Sequence, residues 1–192
     1  MFLSPPLTAI FNLRVLTCAA LFLLLSACTP TLNWRNVQLH TVNDSTLKAA
    51  LPCKPDTATR KQQLGDIQVE LSMVGCMVDE TTFTLSSIPL NHPRDAAKVL
   101  TAWQAAAAVN VGAKPVALAA ASVSGAGAWP TASRVTLMGA TTQAHMLWFA
   151  KQTAAGLTLY QAALYGKRAN NQSIDQSMDE AITTFFESLQ LQ

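Results

Sequence analysis

Histidines are the side chains of this protein best suited to binding a metal or transferring protons, because an imidazole titrates near neutral pH. His40, His92 and His145 are scattered along the sequence. No two of them have the close spacing with which one helix or strand aims two imidazoles at one metal. We therefore predict no metal site. His145 lies in an apolar stretch, and we interpret it as an ordinary strand residue.

The other reactive side chains lack the surroundings that catalysis requires. Asp79-Glu80 is typical of a turn and Asp179-Glu180 of the first turn of a helix, so neither pair predicts general acid–base catalysis. Ser124 lies outside the Gly-x-Ser-x-Gly pattern of hydrolase nucleophiles. Gly125 and Gly127 lack the third glycine of a dinucleotide-binding loop. We predict no catalytic residue and no cofactor.

The N-terminal 27 residues have the pattern of a signal peptide. Arg14 precedes an apolar run of eleven residues, 15–25, and small residues follow it. A membrane-spanning helix needs about 20 apolar residues, so the run is short for the alternative, an uncleaved anchor helix. Cleavage would leave a chain that begins at Cys28.

Leu25-Ser26-Ala27-Cys28 resembles the bacterial lipobox. The resemblance implies diacylglyceryl transfer to the Cys28 sulfur, cleavage before Cys28, and acylation of the new amine. Two or more acyl chains hold a protein firmly on a bilayer, whereas one binds marginally. Cys28 is therefore the predicted lipidation site, on a chain held in the cell envelope and facing the periplasm. Thr29, where that class uses Asp for inner-membrane retention, favours the outer membrane.

Two cysteines remain once Cys18 is removed with the signal peptide and Cys28 is lipidated. These are Cys53 and Cys76, in a compartment that permits disulfides, so we predict that they are bonded. The bond would stabilise the fold by about 3 kcal/mol in the chain-entropy model. Two buried thiols and a metal-binding pair are the alternatives.

Composition bounds the class of protein. The chain has 192 residues with 12% charged, which argues against disorder. Without the signal peptide it carries 12 Lys/Arg (13 less Arg14) against 11 Asp/Glu, a balance that predicts no nucleic-acid partner. Residues 28–33 form a tether that reaches about 20 Å. Residues 34–192 are predicted to form a single domain.

Most of that domain has the pattern of β-strands. In the clearest segment, 67–78, apolar residues occupy odd positions up to Met73 and even positions from Val74. Gly75 at this phase change predicts a β-bulge. Further strands are predicted at 34–39, 46–51, 59–64 (an edge strand), 81–88, 132–140, 144–152 and 157–165. Segment 116–123 is ambiguous between helix, strand and loop.

Two segments have the apolar periodicity of helices. The first starts at Pro93, with Asn91 or His92 as its cap, and ends near Asn110 before a glycine. The second has a capping-box pattern at 177–180, with earlier starts open at Ser173 and Gln176, and it extends to Leu189. We predict an α+β domain in which a mostly antiparallel sheet is covered by two helices.

Trp129 is the one candidate binding residue. Trp103 and Trp148 lie in periodic segments and are predicted to be in the core, whereas Trp129 lies in a loop beside Pro130. Exposed tryptophans are enriched at protein interfaces. The alternative is that Trp129 covers the edge of the core.

The end of the chain resembles the PsbP-like α/β/α sandwich, including lipoproteins of the DcrB type. The segments that carry the resemblance are Leu159–Tyr165, then Phe185-Phe186-Glu187-Ser188-Leu189, and earlier Leu51-Pro52-Cys53-Lys54-Pro55. The resemblance implies an accessory or binding protein without catalytic residues. We expect a non-enzymatic interaction module with the bilayer and an envelope protein as partners. The alternatives are a domain that binds a small ligand or lipid in a pocket between sheet and helix, and an unrecognised hydrolase.

Overall fold

Strands dominate the computed structural model, which describes residues 32–90, 92–114, 116–168 and 176–192. The predicted signal peptide, 1–27, and the lipidation site Cys28 lie outside the described residues. Residues Leu32–Gln192 form a compact unit. The strands are β1 (Arg35–His40), β2 (Thr46–Leu51), β3 (Asp56–Leu64), β4 (Ile67–Val78), β5 (Thr81–Leu90), β6 (Ala119–Ala120), β7 (Ser133–Met138), β8 (Thr142–Thr153), β9 (Gly156–Lys167) and β10 (Gln190–Leu191).

The strands form two antiparallel sheets. Seven of them pair in the order β3-β4-β5-β9-β8-β7-β6, and the other three in the order β1-β2-β10. The helices are α1 (Ala96–Val111) and α2 (Gln176–Glu187). The predicted α+β class, a mostly antiparallel sheet with two helices, is therefore confirmed. The three-stranded sheet is an additional covering layer that the sequence did not predict.

The seven-stranded sheet has a core on each face. Helix α1 covers one face, where Val99, Trp103 and Ala107 pack on the sheet. The three-stranded sheet and α2 cover part of the other face, where Phe185 packs edge-on against Phe83. Strand β9 lies between both cores, and its residues 157–164 are all buried. Its nearly continuous apolar sequence follows from burial on both faces.

The predicted bulge at Gly75 is wrong. The pairing of β4 runs in unbroken register through Gly75, which lies opposite Asp56 on one side and Thr84 on the other. The apolar phase shifts because the buried face changes: Val69 and Leu71 pack under α1, whereas Val74 and Cys76 pack on the opposite face. The first half of β4 thus contributes to the core under α1, and the second half contributes to the core on the opposite face.

The helix termini agree with the sequence in part. Pro93–Asp95 forms a 3-10 turn that leads into α1, and His92 makes no capping hydrogen bond with its side chain. Asn91 lies outside the described residues. Gly112 ends α1 in the left-handed conformation, at φ 68°. Helix α2 begins at Gln176, the earlier start, so Ser177 is inside the helix rather than its cap, and Ser173 is outside the described residues.

Two clamps join the sheets. The first is the predicted disulfide, which links Cys53 after β2 to Cys76 in β4. The second is polar: Asn43 Nδ2 donates to Leu157 O at 2.9 Å, and Ser45 Oγ lies 2.8 Å from Tyr160 Oη. Burial raises the pKa of Tyr160. This network fastens the β1–β2 loop to β9.

Candidate functional site

The predicted site residues fall at different places. Cys53 and Cys76 are bonded, as predicted, and Cys28 lies outside the described residues. Trp129 lies in the loop between β6 and β7 with 54% of its surface exposed. Trp103 and Trp148 are in the core, as predicted. Trp129 is thus exposed enough to meet a partner.

The two ends of the seven-stranded sheet differ in chemistry. We call the end with turn 79–80 and turn 139–141 the proximal end, because the chain enters the fold there. Asn33 N donates to Pro52 O at 2.7 Å, next to the Cys53–Cys76 bond. The opposite end, with turns 65–66 and 154–155, is the distal end.

A cleft opens at the distal end between β4 and β5. Their pairing runs from Val78↔Thr81 to Ser72↔Ser87 and stops there, although β4 begins at Ile67 and β5 continues to Leu90. The strands separate beyond this last pair. The space between them has a volume of about 320 Å³. Ser87 Oγ, at the last pair, is buried and has no hydrogen-bond partner among the described residues.

Pro89 would pair with Glu70 if the register of β4 and β5 continued. A proline has no N–H, so β5 cannot extend the ladder with β4 at this position. Pro89 still pairs with Thr158 of β9 on the other side of the strand. Residues Ile67–Leu71 of β4 are therefore paired on the β3 side alone. Their backbone groups on the opposite side face the cleft and are available to a ligand.

Polar and acidic groups line the cleft. Glu70 of β4 and Asp95 before α1 supply carboxylates, and His92 supplies an imidazole. The lining comprises Val42, Asn43, Ile67, Gln68, Val69, Glu70, Pro89, Leu90, His92 and Asp95. It contains no Lys or Arg. The cleft therefore suits an extended or polar ligand that carries positive charge.

A second depression, the proximal groove, lies at the opposite end of the sheet. Its volume is about 370 Å³, and Gly112, Lys114, Val116, Thr136, Met138, Gly139, Ala140 and Arg168 line it. Arg168 Nη1 donates to Gly139 O at 2.9 Å. Val116 and Met138 are exposed by 51% and 47%. This groove combines cations with apolar surface and has no carboxylate in its lining.

The distribution of charge along the sequence is a signal for this contrast. Positions 96–174 contain six Lys/Arg and no Asp or Glu, so every carboxylate lies outside this stretch. The stretch includes α1 and β6 to β9. Net charge hides this segregation, because the acids of the flanking segments balance the total.

His145 and Thr136 form the nearest approach to a catalytic pair. Thr136 Oγ1 lies 3.2 Å from His145 Nδ1, across the β7–β8 pair. Burial lowers the pKa of His145, and the charge of Asp179 raises it to a smaller extent. A catalytic triad requires a carboxylate on one imidazole nitrogen and the hydroxyl on the other. Here the hydroxyl is on Nδ1, and Nε2 is buried without a partner among the described residues.

The part of the chain that the structure describes contains no group of three His, Cys, Asp or Glu side chains placed to hold a metal ion. Within the same residues, no helix has the length and apolar character to cross a bilayer. Comparisons with protein-family models, with curated proteins and with solved structures gave no match to this chain.

Proposed function

We propose that this protein is a lipid-anchored, non-enzymatic binding module of a bacterial cell envelope, which binds an extended, basic segment of a partner protein in the distal cleft. The Leu25–Cys28 lipobox pattern supports the anchor and its periplasmic orientation, and Thr29 favours the outer membrane. The PsbP-like relationship is part of this proposal. It is supported by the order of β9 and α2 and by helices on opposite faces of the seven-stranded sheet.

The observation that carries the proposal is the broken β4–β5 ladder. Strand-binding sites hold extended peptides through main-chain hydrogen bonds, and pockets for alternate side chains add specificity. Beyond Ser72, β4 has unpaired backbone groups beside the cleft, and Pro89 prevents β5 from satisfying them. A peptide can therefore bind without displacing any existing strand.

Charge indicates which segment fits. Glu70 and Asp95 line the cleft without a Lys or Arg in the lining. Opposite charges at an interface raise the association rate and exclude wrong partners more than they raise raw affinity. A segment with a Lys or Arg next to its strand-forming residues meets both requirements of the cleft.

A photo-crosslinking amino acid placed at Gln68 tests this proposal in cells. Gln38, which is exposed in β1, is the matched control position. We expect a discrete adduct from position 68 and none of the same mass from position 38. Glu70→Lys should remove the adduct, whereas Glu187→Lys, the same charge reversal on α2, should leave it intact. Equal adducts from both positions, or an adduct that Glu70→Lys does not change, would contradict the proposed site.

The anchor needs its own test. Wild-type protein from membranes should carry acyl chains on Cys28, visible as added mass on the N-terminal peptide. Cys28→Ser should release the protein into the soluble periplasmic fraction. A soluble wild-type protein without acyl mass would contradict the lipid anchor and would not bear on the proposed peptide site in the distal cleft.

A small polar ligand is the second candidate. The cleft volume of about 320 Å³ is near the lower end of the range for small-molecule pockets, about 300–1,000 Å³. Because Glu70, Asp95 and His92 line it, the ligand would be a cation rather than a lipid. Thermal shift with small di- and polyamines tests this candidate. A rise in melting temperature that Glu70→Gln abolishes would favour it over the peptide.

A further inference from the structure

Register places the proximal groove at the same end of the sheet as the start of the fold. Cys76 pairs with Phe83, Phe83 with Leu164, Leu164 with His145, and His145 with Thr136. This row crosses five strands and ends at a residue that lines the groove. The disulfide partner of Cys76 is Cys53, beside the incoming chain at Asn33. The groove and the incoming chain therefore share the proximal end.

The chain between Cys28 and this end is short. Four residues lead from Cys28 to Leu32, where the compact unit begins. They reach about 14 Å when fully extended. With the anchor of the proposed function in place, the proximal end stays within about 14 Å of the hydrocarbon core, roughly the depth of two headgroup layers.

The groove has the chemistry of a surface that meets anionic lipid. Lys114 and Arg168 are exposed cations, and Arg168 keeps further N–H donors after its bond to Gly139 O. Val116 and Met138 add exposed apolar surface beside them. Membrane-surface proteins combine these features, since cations attract anionic headgroups while apolar side chains enter the headgroup boundary.

Three nearby negative charges oppose this attraction, and the nearby cations exceed them. Helix α1 ends at the groove, and a helix C-terminus acts as about half a negative charge. Gly112 N and Ala113 N donate to Val109 O and Ala108 O, two of the last four carbonyls of α1, which reduces that charge. The turn at the same end carries Asp79 and Glu80. Glu80 forms an ion pair with Lys167 at 3.6 Å, and Asp79 is an exposed carboxylate. Lys114 and Arg168 supply two full positive charges in the groove itself, whose lining holds no carboxylate.

We propose that the proximal groove binds the headgroups of anionic phospholipids, so that the domain rests on the membrane with its distal cleft facing away. The orientation rests on the lipid anchor of the proposed function, whereas lipid binding by the groove does not. The two contacts reinforce each other, because the anchor gives the groove a high effective concentration of headgroups.

The test uses the chain from residue 28 with Cys28→Ser, so that no acyl chain contributes. Vesicles of phosphatidylcholine alone are compared with vesicles in which phosphatidylglycerol replaces part of it, and bound protein is separated by flotation. We expect binding to the anionic vesicles only, reduced by high salt. Lys114→Gln with Arg168→Gln should lower the partition coefficient about thirty-fold, the effect of two cations near an anionic surface.

A charge control and a folding check distinguish loss of the groove from a general loss of positive charge and from loss of the fold. Lys61→Gln with Arg94→Gln removes one Lys and one Arg from exposed positions elsewhere and should change partitioning less than about three-fold. Val116→Ser with Met138→Ser keeps all charges and should also weaken binding. Circular dichroism melts check that each variant is folded.

Three outcomes would overturn the proposal that the groove binds anionic headgroups. They are equal binding to both vesicle types, no binding to either, and equal losses of binding in the groove and control variants. If the groove binds an acidic peptide and not the vesicles, the proposal is overturned as well, and the groove is a binding site for a partner protein. None of these results affects the acyl-mass test of Cys28, so the two proposals fail separately.

Discussion

A missing side chain at Gly75 lets β4 and β5 lie close together. A Cβ at this position would meet Phe83 O at 2.5 Å and Thr84 Cγ2 at 3.0 Å. Both atoms belong to the neighbouring strand, so the clash cannot be relieved by rotating a long side chain. Gly75 is therefore a packing requirement, although its register is regular.

Gly75→Ala should destabilise the protein by about 1–3 kcal/mol, the usual cost of overpacking a core. Urea unfolding followed by circular dichroism measures it. Gly127→Ala is the control, because its added Cβ would meet its nearest atom, Ala150 O, at 3.5 Å, an ordinary contact. Equal effects from both substitutions would show that β4 and β5 can part easily here.

His145 should make stability depend on pH. Burial holds the pKa of His145 below its usual value of 6.5. The unfolded chain then binds the proton more readily than the folded protein does. The contribution of neutral His145 to the free energy of unfolding is therefore fully present above pH 6.5 and is lost as pH falls through the lowered pKa of the folded state. The difference in unfolding free energy between wild type and His145→Gln should shrink on acidification across this window. A constant difference from pH 7.5 to 5 would contradict the assignment.

At the scale of elements, the disulfide joins two sheets that share one core. Cys53 and Cys76 are 23 positions apart; Cys53 follows β2 of the three-stranded sheet, and Cys76 lies in β4 of the seven-stranded sheet. Cys53→Ser with Cys76→Ser should lower the free energy of unfolding by about 3 kcal/mol. Reduction of the wild-type protein should give the same loss and should leave the double variant unchanged. A loss from reduction that also appears in the double variant would point to another cause.

Pro89 should determine whether β5 pairs with residues 67–71 of β4 and thereby closes the cleft. Pro89→Val restores an N–H to β5 and should let its ladder with β4 extend towards Ile67. Hydrogen exchange at the amides of 67–71 should slow, and crosslinking from position 68 should decline. Pro55→Val, a proline change outside the strands, should do neither. Unchanged exchange at 67–71 would mean that side chains, rather than the missing donor, hold the strands apart.

Strand positions were largely predictable because alternation is local. Segments 46–51 and 67–78 were located to the residue, and the edge strand predicted at 59–64 begins earlier, at Asp56. Strand β10 was missed, and β6 falls in segment 116–123, which the sequence leaves ambiguous; both strands are only two residues long. Elements this short have no period of their own and form because a neighbouring strand offers partners.

The sites were less predictable than the elements. The exposure of Trp129 and the cysteine pairing could be predicted, the first from its loop position beside Pro130 and the second because signal-peptide removal and lipidation would leave two cysteines. The distal cleft required knowing that Pro89 lies between β4 and β9, and sequence does not reveal strand neighbours. The prediction of a bulge at Gly75 failed because a bulge and a change of buried face produce the same pattern in the sequence.

At the scale of the whole molecule, the two clamps hold opposite ends of the contact between the sheets. The disulfide lies at the proximal end, and the Ser45–Tyr160 contact lies at the distal end. Well-separated sites with no shared partner contribute additively to stability. Tyr160→Phe should therefore cost about 1–2 kcal/mol both with the disulfide and without it. A coupling above about 1 kcal/mol in this double-mutant cycle would show that the ends are mechanically linked.

Strand β3 has a consequence for neighbouring copies of the protein. It is a nine-residue edge strand, and nearly all of its side chains are exposed. Proteins anchored in a bilayer are confined to two dimensions, where free strand edges meet far more often than in solution. Antiparallel self-pairing about the middle of β3 would place Arg60 opposite Arg60 of the second copy, and like charges directly opposite destabilise a pair. If the protein is lipid-anchored as proposed, Arg60 would therefore disfavour pairing between the β3 edges of neighbouring copies.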